Sequence, residues 1–224
     1  RLGWVMSQTI YAYISDGGIQ EEISQGAGRI AGHLGLDNLI MYYDANNIQL
    51  STTVEEVDSE DVAAKYKAWG WHVIEIDGCC PEAIRKALRE AKATVGQPTL
   101  IIGKTIMGRG AVGPNGENYE NRVNTHGQPL SAAGASIEAT IKNLGGDPEA
   151  PFQIFPDVQE LYAARLQELR ELAKARKQEE KTWREENPVR ATKLDRWFAG
   201  EAPAVDWKSI EQKPNQATRA DSAT

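Results

Sequence analysis

The stretch Ser15-Asp16-Gly17-Gly18 decides the fold together with a second stretch further along the chain, Tyr43-Asp44-Ala45-Asn46-Asn47-Ile48. An apolar run precedes each stretch, Ile10–Ile14 before the first and Leu39–Tyr43 before the second. A helical pattern lies between them, so the interval predicts a strand, a helix and a second strand. A right-handed crossover makes such strands parallel and brings their carboxyl ends together. Ligands of open α/β sheets bind at that edge.

The oxygen-bearing groups in these two stretches suit a hard divalent cation that carries a diphosphate. Asp16 offers a carboxylate, Asn46 an amide oxygen and Ile48 a backbone carbonyl, and Mg²⁺ prefers oxygens from a few protein groups, phosphate and water. Gly17 lets the chain turn sharply and lets phosphate approach the backbone, and a helix beginning near Ile19 adds its positive end. Either stretch alone is more typical of turn residues that close a strand. The two together predict a site for a metal and a diphosphate.

The remaining pattern predicts an α/β fold with a doubly wound, mostly parallel sheet, because strands and helices alternate along the chain. The predicted strands are Ile10–Ile14, Leu39–Tyr43, Trp71–Ile76 and Thr99–Gly103. The predicted helices are Ile19–Leu34, Asp61–Ala68, Pro81–Ala93, Ala132–Leu144 and Asp157–Glu186. Residues 107–129 are rich in glycine and asparagine, and a loop of this length inside a compact domain is usually functional.

The last predicted helix carries one apolar stripe on an otherwise charged surface. Its apolar residues recur at spacings of three and four, which predicts that they are buried. They are Val158, Leu161, Tyr162, Leu166, Leu169 and Leu172.

Composition argues against several classes of partner. The 224 residues carry a formal net charge of −7, so the chain lacks the cationic footprint of a protein that binds nucleic acid or an anionic membrane. No apolar stretch reaches the roughly 18 residues that suggest a membrane span. The cysteines, Cys79 and Cys80, are adjacent, which makes a poor disulfide framework and favours the reducing cytoplasm.

In these residues the chain resembles the transketolase family of thiamine diphosphate enzymes. The family signature is Gly-Asp-Gly followed by Asn, which reads Ser15-Asp16-Gly17 and Asn46 here, with serine in place of the first glycine. The segments Lys104–Gly110 and Thr125–Leu130 are also similar to the family, and the resemblance runs in order to about Gly146.

The resemblance implies a set of site residues for thiamine diphosphate and Mg²⁺ (or Ca²⁺). The metal would bind Asp16, Asn46 and Ile48, and the cofactor would bind Gly17, Asn46 and His126. His126 would also be catalytic, because the family's matching histidine touches the diphosphate and lies beside the sugar substrate.

The same resemblance implies roles for four further residues. Leu50 and Met107 match apolar positions that border the thiazolium ring, Glu21 matches a residue that faces a second subunit, and Arg219 matches an arginine that binds the sugar phosphate.

The implied activity is transfer of a two-carbon ketol unit from a ketose phosphate to an aldose phosphate, in the pentose phosphate pathway, by a cytoplasmic homodimer. We expect residues 1–150 to form the diphosphate domain, residues 151–213 a helical linker and residues 214–224 the start of the pyrimidine-binding domain. The chain begins at Arg1, directly ahead of the first strand. We therefore expect it to be a central piece that needs the missing remainder and a second subunit, and to be inactive alone.

Three alternatives remain open from the sequence. Another thiamine diphosphate enzyme, such as 1-deoxyxylulose-5-phosphate synthase or a 2-oxoacid dehydrogenase component, would share Asp16 and Asn46, although Thr125-His126-Gly127 favours transketolase. A non-catalytic fragment could keep the fold and act only as a cofactor-binding or assembly module. A nucleotide-binding dehydrogenase domain is disfavoured, because Gly-x-Gly-x-x-Gly does not follow the first strand.

Overall fold

The computed structural model describes residues 8–202 and 204–206. The first of these ranges contains a four-stranded sheet. All of its strand pairs are parallel, in the order β1-β2-β4-β3. The strands are β1 (Ile10–Ser15), β2 (Leu39–Ala45), β3 (His72–Asp77) and β4 (Thr99–Lys104). The predicted parallel sheet is confirmed.

Helices cover both faces of this sheet. The described helices, in chain order, are α1 (Asp16–Gln20), α2 (Glu22–His33), α3 (Val62–Ala68), α4 (Pro81–Ala93), α5 (Ile137–Asn143), α6 (Pro156–Glu186) and α7 (Pro188–Phe198), and the first four of them contact the sheet. On one face, side chains from α1, α2 and α3 pack with Met41, Tyr43 and Leu100 of the strands. On the other face, α4 packs with Ile40 and Ile101. The predicted doubly wound architecture is therefore also confirmed.

The register of the strands brings their carboxyl ends level with one another. Ser15 of β1 lies opposite Asp44 of β2, and Asp44 lies opposite Gly103 of β4. One residue further on, Ala45 lies opposite Lys104. The segments that follow β1, β2 and β4 therefore all start from the same edge of the sheet.

An aromatic cluster holds α2 against the segment between α3 and β3. The ring centroid of Tyr66 lies 4.9 Å from that of Trp69 and 5.2 Å from that of Trp71, and the indole N–H of Trp71 donates to the Gly28 carbonyl at 2.7 Å. Gly32 lies so close to this segment that an added β-carbon would stand 1.9 Å from the Trp69 carbonyl oxygen. The approach of helix and chain depends on glycine here.

Two predicted helices start more than one residue away from their predicted first residue. The first helix begins at Asp16 rather than near Ile19, and it is interrupted at Glu21, whose φ of −64° and ψ of 131° are extended. The helix predicted from Ala132 begins only at Ile137. Gly134 has a φ of +92°, a left-handed conformation that ends helical propagation, and the Ser136 side chain accepts from the Ala139 N–H as a cap.

The long helix α6 confirms the predicted helix, but the prediction that its apolar stripe is buried is wrong. Leu161 and Tyr162 are 65% and 69% exposed, and the leucines that continue the stripe are exposed as well. Within the described residues nothing covers this face. Helical periodicity therefore predicts that the face can pack, but it does not identify a partner surface.

The chain divides into two compact units between Tyr162 and Ala163. In the C-terminal unit, Trp183 near the end of α6 packs with Ala191 and Leu194 of α7. Helix α7 was not predicted from the sequence; it starts at Pro188, and proline is tolerated in the first turn of a helix. Over the described ranges, no helix is both long and apolar enough to cross a membrane.

We predict that Gly32→Ala lowers the free energy of unfolding by about 2 kcal/mol or more, because its β-carbon would collide with backbone that cannot move aside. Urea denaturation followed by circular dichroism measures this change.

Gly26→Ala is the matched control, because Gly26 lies in the same helix as Gly32 and a β-carbon at Gly26 would meet nothing within 4 Å. It is expected to stabilise the protein by about 0.5–1 kcal/mol. Equal effects from the two substitutions would contradict the packing described for α2.

Candidate functional site

The Asp16 carboxylate lies buried between the ends of β1 and β2. It is the first residue of α1, directly after β1, and is only 2% exposed. Its Oδ1 accepts from the Tyr43 hydroxyl at 2.6 Å, and its Oδ2 accepts from the Asn46 backbone N–H at 3.2 Å. Both donors belong to β2 or to the turn after it, so the carboxylate ties the two strand ends together.

The turn after β2 presents Asn46 and Ile48 at the same place. Asn47 has a φ of +65°, a conformation that asparagine tolerates better than most residues. The Asn46 side-chain oxygen accepts from the Ile48 N–H at 3.0 Å. Ile48 is buried and forms an antiparallel bridge with Thr53, so the turn is fixed from both sides.

The oxygens of these three residues fit the donor set that a divalent cation prefers. A carboxylate can accept about four hydrogen bonds, so Asp16 keeps acceptor capacity beyond its bonds to Tyr43 and the Asn46 turn, and the Asn46 side-chain oxygen keeps some beyond its bond to Ile48. No donor in the described residues bonds to the Ile48 carbonyl. A carboxylate, an amide and a carbonyl that still have acceptor capacity suit Mg²⁺ or Ca²⁺.

Elsewhere in the described ranges, no group of three or more His, Cys, Asp or Glu side chains is arranged to hold a metal ion. A soft or borderline metal therefore has no cluster of its preferred ligands among these residues. The mixed oxygen set around Asp16 is the arrangement that favours a hard cation.

A cavity of about 550 Å³ opens beside these oxygens. Its walls come from the ends of β2 and β4 and from the segments after them. The lining residues are Asp16, Tyr43, Ala45, Asn46, Asn47, Ile48, Thr53, Val54, Glu55, Lys104, Thr105 and Asn121. The predicted metal ligands Asp16, Asn46 and Ile48 all belong to this set, so the structure brings them together as the sequence predicted.

Burial dominates the electrostatics of the Asp16–Tyr43 pair. Removal from solvent raises the pKa of Asp16, and the hydrogen bonds from Tyr43 and Asn46 oppose this rise without cancelling it. Burial also raises the pKa of Tyr43, and its hydrogen bond to Asp16 adds to the rise. Tyr43 therefore remains a hydrogen-bond donor at physiological pH, and a cation at Asp16 would stabilise the charged carboxylate.

Gly17 is placed differently from the expectation of a sharp glycine turn. Gly17 and Gly18 continue from β1 into α1, and neither has a positive φ. A β-carbon on Gly17 would meet nothing within 4 Å, whereas one on Gly18 would lie 2.9 Å from Ile14 Cγ1. Gly18 is therefore required for packing, and Gly17 leaves open space beside the buried carboxylate.

Ser15, which replaces the first glycine of the signature, is the last residue of β1. Its φ of −99° and ψ of 175° are ordinary extended values, and any residue adopts them without strain. Serine therefore fits this position of the signature.

His126 lies in the long loop, just after a short 3-10 helix, Val123–Thr125. It is not among the described residues that line the cavity. Its loop nevertheless approaches the segment after Ile48, because a β-carbon on Gly127 would lie 3.3 Å from Leu50 Cδ1. The Nδ1 atom of His126 is buried and has no hydrogen-bond partner among the described residues, so a polar group is unsatisfied at this point.

Of the apolar positions matched to the thiazolium ring, Leu50 is 73% exposed and Met107 is half-buried. Glu21 lies exposed at the break between α1 and α2. Arg219 lies outside the described residues.

Tyr43, Asn121 and Lys104 also line the cavity and were not predicted from the sequence. Tyr43 was read only as a strand residue, although alternation along β2 could have placed its hydroxyl on the face of Asp16. Asn121 bonds to both backbone groups of Met107. The Asn121 side-chain oxygen accepts from the Met107 N–H at 3.2 Å, and the Asn121 backbone N–H donates to the Met107 carbonyl at 2.9 Å. This pairing fixes the long loop at the end of β4.

A second carboxylate, Asp44, clamps the ends of three segments on the sheet. Its Oδ2 accepts from the Tyr13 hydroxyl at 2.5 Å, and its Oδ1 accepts from the Thr105 hydroxyl. Burial and the bond to Asp44 raise the pKa of Tyr13 to about 12. The clamp joins β1, β2 and the residue after β4 beside the cavity.

Comparison with known proteins relates this arrangement to characterised families. The family description "Transketolase, thiamine diphosphate binding domain" matches residues 4–203. Transketolase 2 of Xanthobacter flavus is 38% identical over 162 residues, which are 72% of this chain and 22% of the relative. Transketolase 2 of Vibrio vulnificus is 37% identical over 220 residues, which are 95% of this chain and 30% of the relative.

A solved structure gives the same relation in three dimensions. Transketolase from Pichia stipitis, in a complex with sedoheptulose-7-phosphate, superposes with a TM-score of 0.78 and 28% sequence identity. The match covers 95% of this chain and 31% of that one. The chain thus spans less than a third of the length of these proteins.

We predict that Asp16→Asn stabilises the metal-free chain at neutral pH by about 1 kcal/mol, because it removes a charge from a buried position. The raised pKa means that the folded state holds the Asp16 proton more tightly than the unfolded state. Wild-type stability should therefore fall as pH rises from the ordinary carboxyl value through the raised one, and the variant should lack this component.

Urea midpoints measured across pH 4–8 in the presence of a chelator test this. Asp157→Asn, at an exposed carboxylate of α6, is the control and should follow the wild type. A variant at Asp16 that is less stable than the wild type throughout would contradict the assigned cause.

Proposed function

We propose that this chain, which belongs to the transketolase family, holds the diphosphate of thiamine diphosphate and a magnesium ion at the carboxyl ends of β1 and β2. One observation carries the proposal. The buried Asp16 carboxylate is bonded to the end of β2, and it lines a cavity together with Asn46 and Ile48.

In this proposal Asp16, Asn46 and Ile48 hold the metal through a carboxylate, an amide and a backbone oxygen. The metal would offset the negative charges of Asp16 and of the diphosphate, since Mg²⁺ in proteins is commonly held by carboxylate and phosphate groups. Calcium would suit the same oxygens. Tyr43 positions the carboxylate by donating to one of its oxygens.

Gly17 and His126 complete the proposed diphosphate contacts. The open space beside Gly17 supports an approach of phosphate to the backbone of α1. The buried, unpartnered Nδ1 of His126 supports a role for this side chain in binding and catalysis, since histidine can donate or accept near neutral pH. Asn46 would contact the diphosphate as well as the metal.

The reaction proposed for the complete enzyme is transfer of a two-carbon ketol unit between sugar phosphates. Bound thiamine diphosphate supplies the carbon nucleophile for this transfer, and the protein anchors and orients it. The residues of this chain would hold the diphosphate end of the cofactor, and His126 would contact both the cofactor and the sugar substrate. The Pichia stipitis relative, described in complex with a sugar phosphate, supports this class of substrate.

The proposed partners are the remainder of a longer transketolase polypeptide and a second subunit, which would form a homodimer. Under this proposal residues 1–150 are the diphosphate domain, residues 151–213 the linker and residues 214–224 the entry to the pyrimidine-binding domain, where Arg219 would bind sugar phosphate. The match to less than a third of each relative supports a longer polypeptide as the complete protein. The free thiols of Cys79 and Cys80 support a reducing compartment such as the cytoplasm.

We predict that thiamine diphosphate binds the chain only with a divalent cation, and that Asp16→Ala weakens this binding about 100-fold or more, since a buried metal ligand is lost. Isothermal titration with and without Mg²⁺ measures both effects.

Asp157→Ala is the matched control, because it removes an exposed carboxylate of α6 that lies outside the cavity lining. It should bind as the wild type does. Binding that is indifferent to both Mg²⁺ and Asp16 would remove the proposed site.

We predict that His126→Phe, which keeps an aromatic ring but has no nitrogen, weakens binding of thiamine diphosphate about tenfold, which corresponds to the loss of one hydrogen bond to a charged group. The urea midpoint should remain unchanged, because the unpartnered ring contributes no internal hydrogen bond. His72→Asn breaks a contact to Glu90 on β3 and α4 and should leave binding intact. Unchanged affinity in the His126 variant would exclude the histidine from the cofactor site.

A further inference from the structure

We infer that Lys104 is an additional diphosphate-binding residue of this site, acting as the cation that offsets phosphate charge left over by the metal. The inference rests on the proposed function and extends it to a residue that the signature does not contain.

The pleat of β4 places Lys104 on the same face of the sheet as Asp16. Leu100 and Ile102 pack in the core cluster that contains Tyr43, whereas Ile101 packs in the cluster on the opposite face. Side chains alternate along a strand, so Lys104 shares the face of Ile102. Tyr43 on that face carries the hydrogen bond to Asp16.

The backbone of Lys104 is fixed while its side chain is available. β4 lies between β2 and β3, with Lys104 opposite Ala45 on one side and Asp77 on the other. Its carbonyl accepts from the Gly78 N–H at 2.8 Å. The side chain is exposed to the cavity, and its Nζ forms no ion pair with any acidic side chain of the described residues.

The charges of the side chains around the cavity support this role for Lys104. Of the described side chains that line it, Lys104 carries the one positive charge, and Asp16 and Glu55 carry negative charge. A divalent cation beside Asp16 would neutralise that carboxylate but leave the diphosphate with excess negative charge. A lysine ammonium binds phosphate as a point charge, and an unpaired one at this edge is placed to do so.

The test is isothermal titration of the full chain with thiamine diphosphate and, separately, inorganic pyrophosphate, both in saturating Mg²⁺. Lys104→Gln is expected to weaken binding of each ligand about tenfold. Lys104→Arg keeps the charge and should stay within about threefold of the wild type. Added salt should weaken wild-type binding more steeply than binding by Lys104→Gln.

Lys86→Gln is the matched control for net charge, because Lys86 is exposed on α4, the helix on the opposite face of the sheet. It should change affinity less than about twofold, as expected for a distant screened charge.

Two results would overturn the inference. In the first, the wild type binds both ligands and this binding depends on Mg²⁺ and Asp16, but Lys104→Gln binds as tightly as the wild type or Lys86→Gln loses as much affinity as Lys104→Gln. Lys104 is then not a ligand, and the proposed function stands. If the wild type binds neither diphosphate, the inference and the proposed function fail together.

Discussion

The buried Asp16 carboxylate is the interaction on which this structure's proposed function depends. It joins the start of α1 to the end of β2 through one side-chain donor and one backbone donor, Tyr43 and Asn46. The parallel pairing of β1 with β2 brings these groups to the same edge. Without that contact, the oxygens of Asn46 and Ile48 would belong to a turn with no common centre.

The buried Asp16 carboxylate also has opposite consequences for the stability of the metal-free chain and for the proposed binding of a cation. A carboxylate buried beside neutral donors has a raised pKa, which means that its charged form is unfavourable in the metal-free chain. A divalent cation would reverse that preference, since an opposite charge favours the ionised form. The same reasoning applies to Lys104, a cation at the cavity that forms no ion pair with any acidic side chain of the described residues. Under the proposed function, bound metal and diphosphate would supply the opposite charge for each of these two groups.

Much of the fold and part of the site could be predicted from sequence, where the signal is local. Apolar runs located the four strands of the described residues, and the spacing of Asp16 and Asn46 predicted that these two residues lie at one edge of the sheet, where both line the cavity. Local patterns did not show that Gly134 would delay α5, since a positive φ depends on tertiary context. They could not show that the α6 stripe is exposed, because a stripe carries no information about what covers it. The hydroxyl of Tyr43 was missed because its partner, Asp16, becomes a neighbour only when the strands pair.

Anomalous diffraction from crystals of the chain grown with Mn²⁺ and thiamine diphosphate tests the central claim most directly. The account predicts one strong peak within about 2.5 Å of an Asp16 carboxylate oxygen, the Asn46 side-chain oxygen and the Ile48 carbonyl. A peak that avoids Asp16, or one held by other carboxylates while the diphosphate lies elsewhere, would contradict it.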